Sequence, residues 1–267
     1  MFPLFFGDRG HELYGVYHMP EGDAPGPVGV VLCQPVLHEY ADARRALRAL
    51  AESLARAGFH VLRFDYRGTG DSQGAGDQCD VAGWTTDIET AIEELKASRG
   101  LSSVGLVGLR FGATLAAQVA ARRGDVPFMV LWEPIVKGRP YLQFARSQHR
   151  AWLQAEAQQR PEAPQRTTEH EVLGQLVSAT LADGLARMEL PPPRGRLAES
   201  ILLVDEGACE QIDSLARHLT LRGADVSHVR RAGGRIWQRE RDGEQAPVPR
   251  EIVAEITRWV GARAVAS

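Results

Sequence analysis

The chain has 267 residues, 44% of them hydrophobic, and this length is sufficient for one large α/β domain with a full core. Its net charge of −3, with basic residues scattered among acidic ones, argues against a nucleic-acid-binding surface. Three cysteines at unrelated spacings give neither a disulfide framework nor a zinc pattern, and no apolar run approaches the length of a membrane span. We therefore expect a cytoplasmic protein without metal or cofactor.

The predicted elements alternate between strands and helices. Leu13–His18 comes first, and its alternating pattern predicts an antiparallel edge hairpin. Continuous apolar runs predict further strands at residues 28–33, 59–64, 104–107, 128–132, 201–204 and 225–229. Helical spacing of apolar residues predicts helices at residues 43–57, 84–98, 113–122 and 250–260. This order predicts an α/β fold with a mostly parallel sheet and helices on both faces.

One insertion breaks this alternation. Two helical patterns, 141–158 and 168–189, lie between the strands at 128–132 and 201–204; prolines at 161 and 164 separate them and prolines 191–193 follow. The predicted organisation is one domain, with a core in two parts (1–136 and 196–267) and the insertion at 137–195. The insertion is either a helical lid over the carboxyl edge of the sheet or additional packing.

The motif with most chemical meaning is Gly108-Leu-Arg-Phe-Gly112, which follows a short strand and opens a helix. This is the context of a G-x-S-x-G nucleophile elbow. The turn is so tight that its middle residue takes a strained backbone geometry, and bulky neighbours would clash. Here the middle residue is Arg110, whose guanidinium can neither attack a carbonyl nor act as a base at neutral pH.

From about Leu13 onward, the chain resembles α/β hydrolases of the serine-aminopeptidase and monoacylglycerol-lipase type. The resemblance is carried by Gln34-Pro35, the turn at 64–72, the elbow motif and residues 131–134. A narrower resemblance is to exosortase-A-system-associated hydrolases of the second type, which also read Gly-Leu-Arg-x-Gly at the elbow. The resemblance implies an α/β-hydrolase fold, and the name of the narrower group implies a role in envelope or exopolysaccharide assembly.

The resemblance also implies where a catalytic triad should lie. The acid should follow the strand at 201–204, where Asp205 stands. The histidine should follow the last strand, but the loop at 232–237 has none, and His228 lies within the strand itself. Both the nucleophile and the base are therefore missing from their expected places, and ordinary serine hydrolysis is not expected.

The elbow also suggests a ligand site. The family usually shows His-Gly after the first parallel strand, whereas this chain has Gln34-Pro35 followed by Val36. The backbone N–H groups of Val36 and Phe111 are expected to converge on one oxygen, and Trp237 is expected to pack near the pocket. The candidate ligand-binding residues are Gln34, Val36, Arg110, Phe111 and Trp237.

Several roles remain open for the charged residues. Arg110 either binds a carboxylate or phosphate or forms an internal ion pair with Asp205 or Glu39. His38 and Glu39 are either an acid–base pair near the pocket mouth or residues that cap and pack the first helix. Asp205 is expected to be a salt-bridge partner of Arg110 rather than an active acid.

Two functions of different class follow from these residues. In the first, the protein binds an anionic acyl or saccharide-linked small molecule without hydrolysing it. In the second, it is an enzyme that acts on an ester, thioester or amide by a non-serine mechanism, in which Arg110 stabilises negative charge and His38 or Glu39 handles protons. Neither function needs nucleic acid or a membrane span, and both leave a homodimer open.

Overall fold

The computed structural model describes residues 1–21, 28–159, 170–192, 195–207, 209–233, 235–238 and 246–264. The strands in this part of the chain are β1 (Phe2–Phe6), β2 (Leu13–His18), β3 (Val28–Cys33), β4 (His60–Phe64), β5 (Ser103–Leu109), β6 (Phe128–Trp132), β7 (Glu171–Val172), β8 (Gln175–Leu176), β9 (Ser200–Asp205) and β10 (Asp225–Arg230). The helices are α1 (Glu39–Arg56), α2 (Val81–Arg99), α3 (Phe111–Arg123), α4 (Gly138–Gln159), α5 (Ala179–Arg187), α6 (Glu210–Leu221) and α7 (Arg250–Ala264).

The main sheet has the strand order β1-β2-β4-β3-β5-β6-β9-β10. In this order, all neighbouring strands from β4 to β10 pair in parallel. The β1–β2 hairpin is antiparallel and pairs antiparallel with β4 at one edge of the sheet. The predicted mostly parallel sheet and its antiparallel edge hairpin are therefore confirmed. Cys33, Gly108 and Leu131 lie side by side across β3, β5 and β6. The carboxyl ends of these strands thus meet at one edge of the sheet.

Successive side chains of a strand point to opposite faces of the sheet, and helices cover both faces of the central strands. Val30 and Leu32 of β3 pack in a cluster with α1 and α7. Val31 and Cys33, the alternate residues, pack in a second cluster with α2, α3 and the insertion. The continuous apolar runs in the sequence are explained by these two layers of helices.

Helix α1 begins at Glu39, four residues before the predicted start at 43, and buries that carboxylate at the carboxyl edge of the sheet. Helix α6 was not among the predicted elements. Its apolar residues Ile212, Leu215 and Leu219 are buried and lie on one face at helical spacing. These residues pack α6 into the same apolar cluster as α2 and α3.

The insertion differs from its prediction in one part. Helix α4 covers the first predicted helical pattern, but residues 171–176 form the β7–β8 hairpin and α5 begins only at Ala179. Leu173 and Gly174, the two turn residues, both have positive φ, which is typical of a tight type I′ hairpin turn. The predicted break at 161–164 and the predicted helix start at 168 lie outside the described residues.

The two ends of the insertion form a neck. Lys137 and Glu189 pair in an antiparallel bridge, and the N–H of Gly138 donates to the carbonyl oxygen of Met188 at 2.9 Å. A Cβ at Gly138 would overlap the carbonyl oxygen of Leu185, so the start of α4 lies directly against the end of α5. The chain consequently leaves the core and returns to it at one point.

None of the described helices is both long enough and apolar enough to span a bilayer.

Candidate functional site

The turn between β5 and α3 has the geometry of a nucleophile elbow. Arg110 lies between them with φ 56° and ψ −125°, a conformation that a non-glycine residue rarely adopts. Its N–H donates to the carbonyl oxygen of Trp132 at 2.9 Å, and its own carbonyl oxygen accepts from the N–H of Ala113 at 3.1 Å. A Cβ at Gly108 would overlap the backbone of Ala113, which explains why a glycine is needed there.

The guanidinium of Arg110 is paired with the carboxylate of Glu39. Its Nη2 lies 2.9 Å from Oε1 of Glu39, and its Nε lies 3.2 and 3.3 Å from the two carboxylate oxygens. Glu39 is 2% exposed and the Arg110 side chain is 13% exposed, so this ion pair is almost completely removed from solvent. The internal-ion-pair alternative for Arg110 therefore describes the arrangement, with Glu39 as the partner.

Two aromatic side chains complete the environment of the pair. The ring of Trp237 stacks on the guanidinium of Arg110, with 4.5 Å between the guanidinium carbon and the ring centroid. Tyr141 of α4 also lies beside Glu39, and its hydroxyl donates to the carbonyl oxygen of Val36 at 3.4 Å. Nη1 of Arg110 makes no hydrogen bond within the described part of the chain and is not among its buried unpaired atoms. One edge of the guanidinium therefore stays available.

Burial dominates the electrostatics of these groups. Burial raises the pKa of Glu39, and this effect outweighs the opposing influence of Arg110 and the Tyr141 hydroxyl. Burial lowers the pKa of the neighbouring His38, so its neutral form is favoured. Burial likewise raises the pKa of Tyr141 well above its usual range. Hydrogen bonding and aromatic contact therefore hold a charged pair in surroundings that disfavour charge.

A cavity of about 720 Å³ opens in front of Arg110. Its charged lining is balanced and consists of Arg110, Lys137, Arg235, Glu133, Asp205 and Glu206. Pro140, Tyr141 and Phe144 of α4 form its wall on the side of the insertion. Cys209, which precedes α6, also lines it. The described residues contain no cluster of His, Cys, Asp or Glu that could hold a metal ion.

Asp205 does not pair with Arg110, contrary to the prediction. Its Oδ2 lies 3.1 Å from Nε2 of His228, and its Oδ1 lies 3.7 Å from Nε of Arg230. Glu39 takes the place next to the guanidinium because α1 begins with this residue, beside the elbow. The other ring nitrogen of His228 lies 3.8 Å from Asp213, so both nitrogens face carboxylates and neither faces the cavity.

Three of the predicted ligand-binding residues lie away from the cavity. The side-chain amide of Gln34 donates to Asp65 at 3.1 Å, and Val36 and Phe111 are 2% and 0% exposed. None of the three lines the cavity in the part of the chain that is described, and this corrects the predicted set. Arg110 and Trp237 do line it. His38 does not, and its Nδ1 is buried without a hydrogen-bond partner in the described residues.

Sequence reasoning missed Glu133 and Tyr141. Glu133 has φ 46°, and its Oε1 accepts a hydrogen bond from the backbone N–H of Glu206 at 2.6 Å, which links the ends of β6 and β9. A charged residue directly after a buried strand of a parallel sheet was the available signal for Glu133. Tyr141 had no comparable signal, because it lies in the insertion and Glu39 lies in the core, far away along the chain.

Comparison with known proteins gives a consistent result. Residues 28–184 match the family described as serine aminopeptidase, S33. Protein ABHD12B of Homo sapiens is 38% identical over 109 residues, which make up 36% of this chain and 29% of that protein. The match thus spans less than a third of the length of that curated relative.

Solved structures share the whole architecture. Est1E from Butyrivibrio proteoclasticus with bound ferulic acid has a TM-score of 0.67 at 15% identity, covering 99% of this chain and 100% of that one. The Pyrococcus furiosus esterase PF2001 has a TM-score of 0.66 at 15% identity, covering 98% and 88%. Proline iminopeptidase from Mycobacterium smegmatis has a TM-score of 0.61 at 14% identity, covering 99% of both chains. These similarities show an α/β-hydrolase fold.

Proposed function

The chain belongs to the serine aminopeptidase S33 family of α/β hydrolases, and we propose that it binds an anionic acyl or saccharide-linked small molecule without serine-based hydrolysis. The observation that carries the proposal is the position of Arg110 at the elbow, where its guanidinium is held by an ion pair with the buried carboxylate of Glu39. A residue in this position lies at the base of the ligand cavity in this fold. Here it offers hydrogen-bond donors in place of a nucleophile.

The fixed guanidinium supports binding of a carboxylate or phosphate. Glu39 occupies Nε and one side of Nη2, and the Trp237 ring covers one face, so the remaining N–H groups at Nη1 have a fixed direction. Because Glu39 neutralises the pair, an anion is attracted by directed hydrogen bonds rather than by net charge. Each such charge-assisted bond contributes about 1.5–3 kcal/mol when it is shielded from water.

The cavity suits a ligand with an apolar part. Its volume of about 720 Å³ lies in the range of small-molecule sites. Tyr141 and Phe144 place aromatic surface on the α4 side, and Phe144 is 47% exposed without a ligand. We include the insertion in the proposal as a lid, since these two residues join it to the cavity that contains Arg110.

The alternative, an enzyme with a non-serine mechanism, receives less support. It requires His38 or Glu39 to exchange protons with a bound substrate. Glu39 is instead paired with Arg110, and His38 does not line the cavity in the described part of the chain. His228 is held between two carboxylates, so even a serine at position 110 would have no adjacent base from this residue.

We expect no stoichiometric labelling by a fluorophosphonate probe, because these reagents need an activated serine and the elbow provides an arginine. Intact-mass spectrometry of the probe-treated protein is the measurement. A competent serine hydrolase, labelled under the same conditions, controls for reagent activity. One equivalent of label on a serine that lines the Arg110 cavity would contradict the proposal.

We expect octanoate to bind in the cavity and to shift the indole N–H signal of Trp237, assigned with a Trp237→Phe variant. The double variant Arg110→Met/Glu39→Gln removes the ion pair without leaving an unpaired charge, and its affinity for octanoate should fall at least about tenfold. Nuclear magnetic resonance titration of the Trp237 signal measures both effects in this cavity, so binding elsewhere on the chain does not contribute; in the double variant the same signal reports the affinity. Unchanged affinity in the double variant would exclude Arg110 as the anion ligand.

A further inference from the structure

A second concave site lies within the insertion, between α4 and α5. This insertion groove has a volume of about 890 Å³, and none of its described lining residues lines the cavity at Arg110. Arg139, Leu142, Arg146, Arg150 and Leu153 line it from α4. Their spacing places them on one face of the helix, whereas Pro140, Tyr141 and Phe144 face the cavity.

The insertion groove carries an excess of positive charge. Among the described residues, four arginines line it (Arg139, Arg146, Arg150 and Arg187), against the two carboxylates Glu171 and Asp183. No ion pair involves any of the four arginines in the described residues, whereas Arg122 and Arg123 of the core each have a carboxylate partner. Unpaired guanidinium groups gathered in one groove favour an oxyanion, which accepts two parallel hydrogen bonds from each.

His149 supplies an independent observation in the same groove. It lines the groove and is only 6% exposed. Its Nδ1 accepts the backbone N–H of Leu173 at 3.2 Å, so the ring hydrogen belongs on Nε2. Nε2 is buried and has no hydrogen-bond partner in the described structure. A buried donor without an acceptor is costly, and an oxyanion in the groove would supply the acceptor.

We propose that the insertion groove binds the phosphate or carboxylate head of an amphiphilic anion. The arginines and His149 hold the head group, and the apolar lining of Leu142, Leu153 and Val177 holds the start of an alkyl chain. A volume of about 890 Å³ is far larger than a bare oxyanion needs, which is why the ligand has an apolar part. This site does not depend on the proposed function of the cavity at Arg110.

The test is calorimetric titration of the full chain carrying Arg110→Met/Glu39→Gln, which removes the anion-binding pair of the first cavity, with monomeric octyl phosphate, compared with inorganic phosphate and octanol. Octyl phosphate should bind at least about tenfold more tightly than either, because only it has both parts. In the variant Arg146→Gln/Arg150→Gln the affinity should fall at least about tenfold. The matched control Arg56→Gln/Arg217→Gln removes the same charge from exposed arginines outside the groove and should bind as the parent does.

Two further readouts decide the site and the source of the anion. The Nε2–H proton signal of His149 should move downfield on addition of octyl phosphate, and the Arg110→Met/Glu39→Gln variant should still show this movement. Equal binding by the groove variant and its control would overturn the proposal, as would equal binding of octanol and octyl phosphate. Binding to phosphatidylglycerol vesicles without any binding of monomeric octyl phosphate would also overturn it, since it assigns the arginines to a membrane surface.

Discussion

Replacement of Arg110 by methionine is expected to lower the free energy of unfolding at neutral pH by about 3–5 kcal/mol, the usual cost of removing one partner of a buried ion pair. Methionine preserves much of the side-chain volume and the contact with Trp237. It leaves the carboxylate of Glu39, which is 2% exposed, without its cation. Urea denaturation followed by circular dichroism measures this loss. A decrease in the free energy of unfolding of less than about 1 kcal/mol would contradict this expectation.

The double variant Arg110→Met/Glu39→Gln separates the stranded charge from other effects of the substitution. Glutamine keeps the size of the Glu39 side chain and carries no charge, so the double variant should recover most of the lost stability. Glu39→Gln alone leaves Arg110 without a counterion, yet the remaining edge of that guanidinium reaches the cavity and its solvent. Its stability loss should therefore be smaller than that of Arg110→Met.

The pH dependence of this loss has a defined sign. Burial raises the pKa of Glu39 in the folded state, so the folded protein binds this proton more tightly than the unfolded chain does. The contribution of such a group is fully present below its unfolded pKa and is lost as pH rises through the folded pKa. Without Arg110 that pKa rises further, so the deficit of the variant should shrink as pH falls from about 7.5 to about 5. A deficit that grows over this range would contradict the assignment.

Gly112→Ala is expected to destabilise the protein by about 3 kcal/mol or more, because its new Cβ would overlap the carbonyl oxygens of both Cys33 and Gln34. These atoms belong to the backbone beside the central strand β3, so they cannot move aside as a flexible side chain could. Thermal unfolding followed by circular dichroism is the measurement.

The control for this substitution is Gly261→Ala in α7, where a new Cβ meets open space and alanine favours the helix. That variant should be at least as stable as the parent. A Gly112→Ala variant whose melting temperature equals that of the control would show that α3 can move away from β3, and would contradict the close packing at the elbow.

The core of the fold could be predicted because its signals are local. Continuous apolar runs identify the buried strands, and β3 and β6 begin and end at the predicted residues. The β7–β8 hairpin could not be separated from a helix in the same way. Apolar residues such as Val172, Leu176 and Val177 suit either period, and the decisive feature is the positive φ of Leu173 and Gly174.

The candidate site was predictable only in its central residue. The glycine spacing identifies the elbow and therefore Arg110, because backbone strain has a sequence signature. The choice between Glu39 and Asp205 as its partner has no such signature. Asp205 ends β9 and Glu39 comes after β3, and the ends of these strands meet at the same edge of the sheet. Helix α1 decides it, because its start at Glu39 directs that carboxylate to a guanidinium 71 residues further along the chain.

The neck at Lys137 and Glu189 has a consequence for how this protein could diversify. Since the two crossing points pair with each other, everything between them forms a cassette whose ends already meet. A cassette of other length or sequence can be joined at the same two points with only a small change in the cost of bringing its ends together, about 0.6 kcal/mol for each doubling of length. The elbow and the sheet can thus be inherited unchanged while recombination exchanges the insertion, so the insertion can evolve separately from the scaffold.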